Sequence, residues 1–73
     1  MAIATLNVPD ISCEHCERTV TNALRPLEGV RDVHVDVPTK RVRVTYDESL
    51  VSLETMKRVL QQEDYLVASV DVG

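Results

Sequence analysis

The chain has no tryptophan and no phenylalanine, and its only aromatic side chains of this kind are Tyr46 and Tyr65. Any core it forms is therefore aliphatic, built from Val, Leu, Ile and Ala. It also lacks an apolar run approaching the ~20 residues that span a bilayer. Positive charge is scarce: eight Lys and Arg stand against twelve Asp and Glu, for a formal charge of −4. An acidic balance with few aromatics removes the basic stripe and the stacking platform that nucleic-acid binding needs. The N-terminal segment has no basic stretch followed by a long apolar one, so no signal peptide is visible and the expected location is cytoplasmic. Low-complexity tracts, linkers and internal repeats are missing too, and 27% charged residues suit an ordinary folded soluble domain. At 73 residues there is room for one small domain, 1–73. Such a chain buries only ~60% of the surface its unfolded form exposes, so the core is thin. So little chain does not wall the cleft of an ordinary hydrolase or transferase, and an enzyme is not expected.

What is present is hydrophobic periodicity. Residues 3–8 alternate, with Ala4, Leu6 and Val8 on one face and Thr5 and Asn7 on the other, until Pro9 and Asp10 break the strand. From about Glu14 the spacing changes to three and four, placing Cys16, Val20, Ala23, Leu24 and Leu27 on one side of a helix. Glu14 and Glu17 suit the dipole in its first turn, and Pro26 and Gly29 mark its end. Val33, Val35 and Val37 alternate with Asp32, His34 and Asp36. After a turn at Pro38, Thr39 and Lys40, Val42, Val44 and Tyr46 alternate with Arg41, Arg43 and Thr45, which predicts a second and a third strand running antiparallel. Ser52 is placed to cap a second helix that reaches about residue 63 and buries Leu53, Met56, Val59 and Leu60. A last strand over 66–72 is expected to turn Leu66, Ala68, Val70 and Val72 inward. The order βαββαβ, with strands apolar on one face, predicts an α+β, ferredoxin-like domain: a four-stranded antiparallel sheet with two helices on one face. The other face is expected to be polar, with Thr5, Asn7, His34, Asp36, Arg41, Arg43 and Ser69.

The two cysteines, Cys13 and Cys16, are separated by two residues. A disulfide between them would close so short a loop that it would constrain the unfolded chain very little, which leaves metal binding or redox chemistry. Cys13 falls on the loop after the first strand and Cys16 in the first helical turn, so both sulfurs converge on one point. Unpaired backbone N–H groups at a helix start favour the thiolate there. A soft thiolate pair selects soft ions: Cu(I), Ag(I) or Hg(II), and less selectively Zn(II). Structural Zn(II) wants four ligands, and the histidines are poorly placed to supply them, since His15 lies between the cysteines and His34 is expected on the open sheet face. Two-coordinate thiolate chemistry therefore favours Cu(I). The redox alternative, a thioredoxin-like dithiol, is opposed by the length, by the topology and by the absence of Trp or Pro beside the cysteines.

A Cys-x-x-Cys at the first strand–helix junction of a βαββαβ chain resembles the heavy-metal-associated (HMA) domain family, which includes copper chaperones and the metal-binding domains of heavy-metal P-type ATPases. The family motif Met-x-Cys-x-x-Cys is matched by Ile11-Ser12-Cys13-Glu14-His15-Cys16, and the Gly-Val before the second strand by Gly29-Val30. Tyr65 stands where bacterial copper chaperones often carry a Tyr before the last strand, and the resemblance covers nearly the whole chain. It implies that Cys13 and Cys16 hold the metal and that residue 11 packs in the core beneath the loop without being a ligand. Ile11 is stiffer than the family's Met at that place, and Asp10 and Asp64 replace common glycines. Ser12 sits where members selective for Zn(II) or Cd(II) often carry Asp, which leans toward Cu(I). The resemblance implies a cytoplasmic Cu(I) metallochaperone that passes one ion by ligand exchange to the metal-binding domain of a copper-transporting P-type ATPase. A monomer is expected, with a metal-bridged dimer as a further form. The alternatives are an Hg(II) carrier, a Zn(II)/Cd(II) buffer, or a domain detached from such an ATPase, and Met1 favours a free-standing protein.

Several residues have two readings. His15 is a solvated residue of the first helical turn, or an auxiliary ligand that tunes the site. Tyr65 caps the core beside the loop, or, by the family resemblance, shields the copper and donates a hydrogen bond to a sulfur. Met56 matches the spacing of Leu53 and Leu60 and is read as core. Asp10, Glu14, Glu17 and Asp64 are expected to rim the metal tip, as a solvated border or as a docking face for a partner with a basic or neutral rim.

Overall fold

The alternating apolar residues become the inner rows of one sheet. The computed structural model describes residues 1–12 and 14–72. Among these the chain runs β1 (Ala2–Asn7), α1 (Glu14–Leu24), β2 (Val30–Asp36), β3 (Arg41–Tyr46), α2 (Leu53–Gln62) and β4 (Ser69–Val72). The strand order is β2-β3-β1-β4, and each neighbouring pair is antiparallel. β1 and β2 are thus parallel with β3 inserted between them, which is the split βαβ arrangement expected from the periodicity.

Register explains which side chains are buried. Paired residues share a face, so Val35, Val42, Leu6 and Val70 form one inner row and Val33, Val44, Ala4 and Val72 another. Helix residues Val20 and Leu24 of α1 and Met56 and Leu60 of α2 join the same buried cluster, so both helices cover one face of the sheet. The opposite face carries the row His34, Arg43, Thr5, Asp71 and the row Asp36, Arg41, Asn7, Ser69. The pairing of Ala4 with Val72 also brings the start of β1 and the end of β4 to the same end of the sheet.

The last strand is shorter than its periodicity suggests. Leu66 is 65% exposed and Ala68 is exposed, while Val67 packs against the core instead. The reason is that Ser69 pairs with Asn7, the last residue of β1, so earlier residues have no strand opposite them. The Ala68 N–H reaches back to the Asn7 carbonyl at 2.8 Å. Val72 follows the inward register but is 60% exposed, because it lies on the edge strand at its far end. β1 likewise runs Ala2–Asn7 rather than 3–8, although Val8 is fully buried as expected.

Local chemistry fixes the connections. Ser52 caps α2 by accepting the Thr55 N–H at 3.2 Å. At the other end of α2 the Tyr65 N–H donates to the Leu60 carbonyl and the Asp64 N–H to the Gln61 carbonyl, with Asp64 at φ +66°. That pair of bonds is the Schellman motif, which ends a helix on a left-handed residue and is usually built with glycine. Between β2 and β3 the Lys40 N–H closes a turn onto the Val37 carbonyl, with Lys40 itself at φ +60°. In the β3–α2 connection, the Ser49 hydroxyl and N–H both donate to the Asp47 carboxylate, holding it below the ordinary aspartate range.

Candidate metal centre

The segment between β1 and α1 is held from beneath. Val8 and Ile11 are fully buried, and the Ile11 N–H donates to the Val8 carbonyl at 3.2 Å. From the side, the β2–β3 turn reaches over: the Val8 N–H donates to the Lys40 carbonyl and the Lys40 Nζ donates to the Pro9 carbonyl at 3.3 Å. This short stretch of chain is therefore tied down at both of its first residues and by one apolar plug.

Cys16 is the third residue of α1 and is half-buried against the core. Its Sγ lies 3.9 Å from the Asp10 carbonyl oxygen, to which the thiol donates, and 3.9 Å from the Ser12 Oγ. The hydroxyl can act in either direction. When the sulfur is a thiolate it accepts from Ser12, and the positive end of α1 favours the same charge. The sulfur is thus wedged between loop and helix with one donor able to follow its change of state. Cys13 lies outside the described residues.

The predicted residues fall in several places. Ile11, Ser12 and Cys16 come together at the root of α1. His15 is exposed in the first turn, where its carbonyl accepts the Thr19 hydroxyl at 3.0 Å. Tyr65 is half-buried and packs against the core just beyond the Schellman turn. His34 stands exposed on β2, on the sheet face away from the helices. Asp10, Glu14 and Asp64 are exposed and Glu17 is half-buried. Among the described residues, no three His, Cys, Asp or Glu side chains group to hold a metal ion. Two contributors escaped sequence reasoning: the Asp10 carbonyl and Lys40. A backbone oxygen carries no residue signature, and Lys40 reaches Pro9 only because β3 pairs with β1.

The class of protein follows from this fold and loop. Residues 5–65 match the heavy-metal-associated domain, and the chain belongs to that family. It is similar to the copper chaperone CopZ of Staphylococcus haemolyticus, at 43% identity over 60 residues, covering 82% of this chain and 88% of that protein. Among solved structures it is similar to a CopZ metallochaperone, at 35% identity and a TM-score of 0.87 over 90% of this chain and 98% of that one. It is also similar to oxidized MerP from Ralstonia metallidurans CH34, at 30% identity and a TM-score of 0.84 over 96% and 93% of the two chains.

Proposed function

We propose that this chain is a cytoplasmic copper metallochaperone that carries one Cu(I) between the thiolates of Cys13 and Cys16. The observation that carries the reading is the position of Cys16, in the first turn of α1 with its sulfur beside Ser12 and Asp10, in a chain similar to copper chaperones. Two thiolates suit a soft monovalent ion in near-linear coordination and leave it open to a third sulfur. A partner's Cys-x-x-Cys, such as that of a copper-transporting P-type ATPase metal-binding domain, attacks the ion through a three-coordinate intermediate. Each step forms one Cu–S bond as another breaks, so the ion is transferred without being free and the exchange is fast despite tight binding. Cys13, which precedes α1, is the sulfur that changes partner first. Cys16 is held between helix and loop and releases last. The chain acts as a carrier, with no substrate bond other than metal–sulfur bonds made or broken.

An anaerobic titration of the reduced protein with Cu(I) against a competing Cu(I) chelator tests this, with Zn(II) run in parallel. The expected result is one tightly bound Cu(I) per chain, much weaker Zn(II), and loss of tight Cu(I) binding in both Cys13→Ser and Cys16→Ser. Cu(I) binding that survives either substitution, or Zn(II) binding of equal strength, overturns the assignment.

A further inference from the structure

The outer face of the sheet, turned away from both helices, holds a depression of about 270 Å³ lined by Thr5, His34, Asp36, Thr39, Arg41 and Arg43. Two guanidinium groups face one carboxylate there, on a chain whose formal charge is −4. Among the described residues neither Arg41 nor Arg43 makes a side-chain hydrogen bond or ion pair, although Asp36 is the register partner of Arg41. Arg43 lies in the middle of a cross-strand row, with His34 on one side and Thr5 on the other. Asp71 lies one strand further, beyond Thr5.

From this arrangement we infer that the outer sheet face is a binding site for a phosphate-type oxyanion, centred on Arg43 and shared by Arg41. Alternate residues of one strand project side by side about 7 Å apart, and directly opposed residues on neighbouring strands lie about 5 Å apart. Two forked guanidinium donors, the His34 imidazole N–H and the hydroxyls of Thr5 and Thr39 thus converge on one shallow volume. A guanidinium fork matches two oxygens of a phosphate. A tetrahedral oxyanion has further oxygens for the second fork and the hydroxyls, whereas a carboxylate has two coplanar oxygens and satisfies one fork. Asp36 is the internal competitor: it lowers the local positive field and sets a limit on affinity. The site occupies the face opposite the one covered by α1, and its Thr39 end borders the Lys40 turn that holds the segment after β1.

The test is a titration of the ¹⁵N-labelled, reduced, metal-free protein with sodium pyrophosphate at fixed ionic strength, with acetate and chloride as matched controls. Saturable amide shifts confined to the neighbourhood of Thr5, His34, Arg41 and Arg43 are expected. Arg43→Gln is expected to weaken the response at least tenfold, Arg43→Lys to restore only part of it, and Asp36→Asn to tighten binding severalfold. The amide spectrum of each variant reports its folding in the same experiment. A linear response that does not saturate, an equal response to acetate, or an unchanged response in Arg43→Gln overturns the inference.

Discussion

At Gly29 the backbone turns through φ +94°, and a β-carbon placed there would lie 2.8 Å from the Leu50 Cβ and 3.2 Å from the Asp47 carbonyl oxygen. The Asp47 N–H donates to the Gly29 carbonyl at 2.7 Å, so the two segments cannot easily separate to make room. Gly29→Ala therefore combines a left-handed backbone with a steric overlap, and is expected to cost at least ~2 kcal/mol. Urea unfolding measures it, and an unchanged midpoint would show that the Leu50 segment yields. The Gly-Val pair is visible in the sequence, but its reason is tertiary and involves residues that become neighbours only when β3 returns alongside β2. The same division runs through the candidate site. Cys-x-x-Cys is legible because spacing and helix start are both local properties. The Asp10 carbonyl beside Cys16 and the Lys40 contact to Pro9 depend on the path of the backbone and on strand pairing, neither of which leaves a mark on residue type.

Helix ends show how far local rules reach at the scale of elements. The cap at Ser52 is written in the sequence, and Ser52→Ala is expected to cost ~1 kcal/mol by leaving the Thr55 N–H without its acceptor. Comparison of thermal unfolding with that of the parent checks the value. The other end of α2 carries a mismatch: Asp64 occupies the left-handed position at φ +66° that glycine fills without strain. Asp64→Gly is expected to stabilise the fold by ~0.5–1 kcal/mol, the relief of side-chain strain outweighing the added freedom of the unfolded chain. A lower melting temperature in that variant would mean that the carboxylate, rather than the backbone, matters there. The start of the last strand, by contrast, is set by where β1 ends, since Ser69 pairs with Asn7. Alternation alone cannot show where a strand loses its partner, and after the Schellman turn it is Val67, rather than Leu66, that meets the core.

For the whole molecule, one buried cluster, aliphatic apart from Tyr46 and Met56, holds sheet and helices together. A domain of this size has a total stability of roughly 4–11 kcal/mol. Leu60 is fully buried in that cluster, and its truncation to Ala is expected to cost about 2–5 kcal/mol. Leu60→Ala should therefore unfold at much lower urea, and a loss below about 1 kcal/mol would mean that neighbouring helix residues collapse into the space. The two-sidedness of the sheet was legible from alternation, which runs along most of each strand, although Ile3 falls on the outer face and β2 shifts register between Val30 and Asp32. The hollow around Arg43 was not, because it depends on which polar residues the register sets in one row. That same register has a mechanical consequence. Since Ala4 pairs with Val72, the start of β1 and the end of β4 lie at one pole of the domain, whereas Asn7, the end of β1, lies at the other. Five residue steps of β1 separate Ala2 from Asn7, about 17 Å of strand. A pull applied through Ala2 or through Val72 acts on the same pole and leaves the Asn7 end of the sheet facing away, like a bead hung from a single knot.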